Sequence, residues 1–266
     1  MSENTTTSLL MQIIERYSGA IASFIMVVIA LYYNRKTLRS SMKDRERPRI
    51  VELLRFCIVP LEKWLEFQLS ITEPKEFNME QLFENNPLLM YQKLDPKLLC
   101  VEFNTLLEKL RRKDEWDEKV IKYNELSKEW SRIMIDLKRK LEELLDNNSL
   151  LLKDCYEKTE AKNSYTFDNF KRELINSFFY CYKNKRYGRG LSDVWCYVGD
   201  QLFATFENKL SPILIEINKL MEESDALLRS LIDLLENICE RLREDYQLTP
   251  SEQTPLIEFE GTILRK

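Results

Sequence analysis

The chain has 266 residues, 44% hydrophobic and 32% charged, with a net charge of −4. It contains no histidine, which excludes a His general base, a His-ligated zinc, a Ser-His-Asp triad and a haem-binding His. Its five glycines and eight prolines are too few for the turns of a sheet-rich fold or for phosphate-cradling loops, so long helices are expected.

Residues 1–16 hold one Arg and two Glu and read as a short extracytoplasmic N-terminus. Residues 17–34, YSGAIASFIMVVIALYYN, carry no charge. As a helix they would extend about 27 Å, near the hydrocarbon thickness of a bilayer. Tyr17 at one edge and Tyr32 and Tyr33 at the other suit the membrane interface. A transmembrane helix is expected here; a cleaved signal peptide fits less well, because no basic region precedes the apolar run. Ser18, Gly19, Ala22 and Ser23 make one face small and are candidate helix–helix contacts within the membrane.

The basic juxtamembrane segment 35–49 follows, with Arg35, Lys36, Arg39, Lys43, Arg45, Arg47 and Arg49 against two acids. Basic flanks stay in the cytoplasm, so a single-pass protein of the cell membrane is expected, N-terminus outside and C-terminal body inside. The same seven residues are candidates for contact with anionic lipid headgroups. Pro48 is expected to mark the entry to the next helix.

Residues 50–247 are expected to form a cytoplasmic antiparallel helical bundle, making the fold all-α. Ile50, Leu54, Cys57, Leu61 and Trp64 recur at helical spacing, with Pro60 kinking or ending that helix. Residues 71–96, broken by Pro74, Pro87 and Pro96, read as a loop with one or two short helices. From Pro96 to Asp146 a long helical stretch is expected, its charged run 111–115 forming a solvated face. Trp116, Val120, Tyr123, Ser127, Trp130, Met134, Leu137, Leu141 and Leu144 alternate steps of four and three, a heptad seam. A second seam runs through Leu210, Leu214, Ile217, Met221, Ser224, Leu228, Leu231, Leu235, Ile238 and Leu242, with Ser211-Pro212 opening its helix. Apolar residues beside both seams widen the stripes, as a multi-helix bundle requires. Pairing of the seams between two chains is the alternative.

Residues 180–200 interleave aromatics with Lys183, Lys185, Arg186 and Arg189, which are candidate anion contacts. The simpler expectation is an interhelical turn in which Gly188 and Gly190 end a helix and Trp195 and Tyr197 dock into the core. Residues 248–266 lose helical character and read as a C-terminal tail.

Six scattered cysteines without a CxxC pair suggest buried, reduced thiols and no zinc site. Glu115 with Glu118, Glu157 with Glu160, and Glu222 with Asp225 sit one helical turn apart. They allow a magnesium-dependent phosphohydrolase only as a remote alternative. No Walker loop, GxSxG elbow or dinucleotide fingerprint occurs, and the net negative charge argues against general nucleic-acid binding. With no catalytic, cofactor or metal residues to name, the expected function is a membrane-anchored helical interaction or scaffold protein. Its partners would be membrane lipid and a protein or a second copy of itself. A membrane-perturbing toxin or defence effector acting through oligomerisation of its membrane helix is the alternative from another class.

Overall fold

The computed structural model describes residues 3–71, 73–85, 94–186, 191 and 193–249, with side chains described from Ser23 onward except at 185, 186 and 193. The described residues are helical with no strand, so the protein is all-α. Helix α1 spans Glu3–Leu53 and is followed by a π-helical turn, Leu54–Ile58. Then come α2 (Val59–Ser70), α3 (Met79–Glu84), α4 (Pro96–Leu110), α5 (Lys113–Asn147), α6 (Ser149–Lys158), α7 (Ala161–Ser164) and α8 (Phe167–Arg186). A 3-10 turn, Asp193–Tyr197, leads into α9 (Asp200–Tyr246). The chain divides into two compact units: Met1–Arg55 with Cys239–Lys266, and Phe56–Ile238.

In the second unit, Trp130, Met134, Leu137 and Leu141 of α5 share one apolar core with Leu174 and Phe178 of α8 and with Phe203, Leu210, Leu214 and Ile217 of α9. Arg132 lies in the field of Glu216, and Tyr123 in that of Asp225. Numbering therefore ascends along one helix as it descends along the other, and the two run antiparallel. The seam positions of α9 are buried except Met221, which is partly buried. On α5 the stripe drifts. Leu144 is only partly buried, whereas Leu145 is fully buried. A straight helix of 3.6 residues per turn slips about 20° per heptad against a strict seven-residue repeat. Four heptads after Trp116, the inward direction has passed to the next residue.

Three expected boundaries are corrected. The stretch from Pro96 to Asp146 is two helices, because Arg111 adopts the left-handed conformation at φ 57°. Its N–H donates to the Glu108 carbonyl at 3.0 Å and the Arg112 N–H to the Leu107 carbonyl at 2.8 Å, which closes the end of α4. Asp114 and Glu115 then occupy the first turn of α5, where acids oppose the positive end of the helix dipole. Pro212 does not open a helix but sits inside α9. The apolar neighbours Phe206, Leu210, Ile213 and Leu214 are all buried and hold the helix through the missing hydrogen bond. Pro48 likewise lies inside α1 rather than at a helix entry. Pro60 behaves as expected: it falls in the first turn of α2, directly after the π-helical turn.

The segment 74–78 is strapped to α5 through its backbone. Asn124 Oδ1 accepts from the Phe77 N–H at 2.7 Å, its Nδ2 donates to the Phe77 carbonyl at 3.0 Å, and Ser127 Oγ donates to the Pro74 carbonyl at 2.8 Å. The Phe77 ring packs between Trp64 and Trp116, at centroid distances of 5.1 and 5.9 Å. Asn124→Leu would leave both polar backbone groups of Phe77 unmatched. We expect it to lower stability by about 2–3 kcal/mol, read as an earlier urea midpoint by circular dichroism.

Buried residues of the first unit include Ile50 and Leu53 at the end of α1, Leu54 at the start of the π-helical turn, and Cys239, Leu242 and Leu248 around the end of α9. Of the cysteines, Cys57, Cys181 and Cys239 are buried, Cys100 and Cys155 partly so, and Cys196 is exposed. Beyond Thr249, the expected tail lies outside the described residues.

Candidate membrane interface

Successive residues of an α-helix are rotated by about 100°, so four in a row sample its whole circumference. In α1 every residue from Ser23 to Met42 is exposed, including Phe24 at 70% and, least of the large apolar side chains, Ile29 at 43%. A helix docked by one stripe would bury a third or more of these side chains. Its apolar part, Phe24–Tyr33, is covered on no side by the described residues. Tyr32 and Tyr33 close it in an edge-to-face pair with centroids 5.8 Å apart.

Among the described residues no helix is long and apolar enough to cross a membrane. Residues 17–22 of the expected span belong to α1, but their side chains lie outside the described ones. Of the candidate helix–helix contacts, Ser23 is exposed, and Ser18, Gly19 and Ala22 fall in that outlying part.

The seven basic residues separate into two sets. All but Arg47 are exposed, and no contact of Arg35, Lys36, Arg39 or Arg45 with α9 occurs among the described hydrogen bonds and ion pairs. Lys43 and Arg47 engage the C-terminal end of α9. The Lys43 ammonium donates to the Asp245 carbonyl at 2.8 Å and to its carboxylate at 3.1 Å, and lies 5.9 Å from the centre of the Tyr246 ring. Arg47 donates to the Gln247 carbonyl at 3.3 Å, and the Tyr246 hydroxyl donates to the Glu46 carboxylate at 2.8 Å. Burial, then the hydrogen bond to Glu46, lifts the Tyr246 phenol to about 12, so it remains a donor at ordinary pH. Gln247 turns left-handed at φ 50° and ends the helix, with the Leu248 N–H returning to the Arg243 carbonyl at 3.2 Å.

The physical logic of this clasp is the helix dipole. The last carbonyls of α9 carry partial negative charge, Glu244 and Asp245 add to it, and cations from α1 neutralise it. The sequence points these basic residues to membrane topology and lipid headgroups and carries no sign around them of their partners on α9. One signal was present: two acids in the last turn of a long helix are unfavourable unless a cation meets them. The Lys43–Asp245 pair is half exposed, so it is worth at most about 1 kcal/mol. A Lys or Arg beside an anionic leaflet gains about as much.

The other candidate sites are not assembled in the same way. Lys183 lies 5.9 Å from the centre of the Phe179 ring and in the field of Asp225, whose carboxyl is raised by burial. It therefore serves a contact within the fold. Lys185 and Arg186 are at the end of α8 with side chains outside the described ones, and Arg189 lies outside altogether, as do Gly188 and Gly190. Trp195 docks as expected, fully buried, and Tyr197 is partly buried. Glu115 is held by Lys119 at 2.6 Å and by Arg112 at 2.8 Å, and the Lys119 hydrogen bond keeps its carboxyl below the usual range. Among the described residues no three of Cys, Asp or Glu converge in a way that could hold a metal ion.

These features define an all-α helical-bundle protein with an uncovered apolar stretch in its first helix. Compared with known families, curated proteins and solved structures, the chain matches none.

Proposed function

We propose that this is a single-pass membrane-anchored interaction protein. Residues 17–34 of α1 cross the bilayer with the N-terminus outside, and the helical bundle works at the cytoplasmic surface as a binding platform. The observation that carries this reading is the apolar stretch Phe24–Tyr33, exposed around its full circumference. Lipid satisfies such a surface without any stripe to dock, and the excess of Lys and Arg after the stretch sets the orientation. Among its described residues the bundle holds no group of Cys, Asp and Glu that could bind a metal ion. It does expose Leu98 with Val101 on α4, and Leu150 with Leu151 on α6, as contact surface for a protein partner or a second copy.

Fractionation of cells expressing the full chain tests the anchor. We expect it in the membrane pellet, resistant to alkaline carbonate and released by detergent, with a C-terminal reporter active only in the cytoplasm. A chain that stays in the supernatant without detergent, or a reporter active outside, overturns the reading.

A further inference from the structure

We infer that Arg35, Arg39 and Lys43 form a ladder for the phosphates of anionic lipid headgroups, in which Lys43 exchanges between a headgroup and the end of α9. The inference rests on the membrane reading above and assigns its ligand to particular side chains. Spaced at i, i+4 and i+8, the three residues share one face of α1 and follow one another about 6 Å apart along its axis. With Tyr33 at the edge of the hydrocarbon, Arg35 and Arg39 lie about 3 and 9 Å beyond it, within the headgroup layer, and Lys43 about 15 Å beyond. A lysine on that last rung reaches a phosphate held at Arg39 by laying its flexible stem back along the helix.

In the structure the Lys43 ammonium instead meets the Asp245 carbonyl and carboxylate, at 2.8 and 3.1 Å. The two destinations lie in different directions from one Cα, so occupying one empties the other. Both sides of the pair are about half exposed, at 49% and 47%, so a headgroup can displace the carboxylate without opening any core. The competing attractions are of similar size, which is the condition for lipid composition to decide between them. Arg47 and the Tyr246–Glu46 bond remain on α9 in either state, and the exchange parts Asp245 only from Lys43, its other carboxylate oxygen staying 3.9 Å from Arg241 of α9 itself. An anionic leaflet would therefore loosen the end of α9, and a zwitterionic one would leave it clasped.

Zero-length carbodiimide coupling of the full chain in lipid nanodiscs reads this directly, because an amide between Lys43 and Asp245 forms only while they are paired. The Lys128–Glu76 pair, at 3.2 Å in the other unit, supplies an internal reference for reagent consumption. Asp245→Asn removes the product and so fixes its identity. We expect the ratio of the two products to fall several-fold when phosphatidylglycerol replaces phosphatidylcholine in the discs. An unchanged ratio in a chain that enters both discs overturns the ladder and leaves the anchor standing. An equal fall in phosphatidylcholine discs with inorganic phosphate, at matched ionic strength, overturns lipid as the source of the phosphate. Failure of the chain to enter discs at all overturns both this inference and the membrane reading.

Discussion

Replacing Trp195 by alanine is expected to lower the stability of the protein by about 3–5 kcal/mol, the largest effect we foresee for a single side chain. Trp195 is fully buried, and its indole N–H donates to the Leu174 carbonyl at 3.0 Å. Its ring meets Phe178 of α8 at 5.3 Å and Phe203 and Phe206 of α9 at 5.0 and 6.1 Å. Truncation opens a cavity between two long helices whose backbones cannot close it without shifting the whole seam. The urea midpoint of the detergent-solubilised chain, followed by circular dichroism, measures the loss. Trp195→Phe should recover a large part of it by refilling the space, though without the hydrogen bond. A loss below about 1 kcal/mol would mean that the 3-10 turn is not docked in solution.

Met26→Asp should move the full chain from the membrane fraction to the supernatant. A charge near the centre of a membrane helix costs about 2.5–3.5 kcal/mol, roughly a hundredfold in partition. Met26 is 67% exposed, so the same substitution removes no packing from the folded chain. Far-UV circular dichroism and the urea midpoint of the solubilised variant should therefore match those of the parent. Lost localisation with unchanged stability separates a lipid-facing role from a core role. If the variant still pellets with membranes, the apolar stretch is not what holds the protein there.

Much of the secondary structure was legible because helical periodicity is a local property. The seam positions Trp116 to Leu141 and Leu210 to Leu242 point inward at nearly every step, since burial follows the turn of the helix whatever the partner. The helix ends were less legible. Proline marks a cost at its own position, but whether the helix stops there depends on the apolar contacts on either side, as Pro212 shows inside α9 and Pro60 at the start of α2. At Arg111 the break has no glycine to announce it; the bonds from Arg111 and Arg112 to Glu108 and Leu107 stabilise it after the chain has turned.

The candidate interface divides in the same manner. Its apolar run and basic flank stand in consecutive residues and need no fold to be seen. The pairing of Lys43 with Asp245 and of Arg47 with Gln247 joins residues about 200 positions apart. No local pattern carries that information. By itself the sequence determined the all-helical class, the inward faces of the long helices and the exclusion of histidine chemistry, because composition and period act residue by residue. Only the tertiary structure decided which basic groups of α1 close the end of α9, because that depends on which distant chain segments the fold brings together.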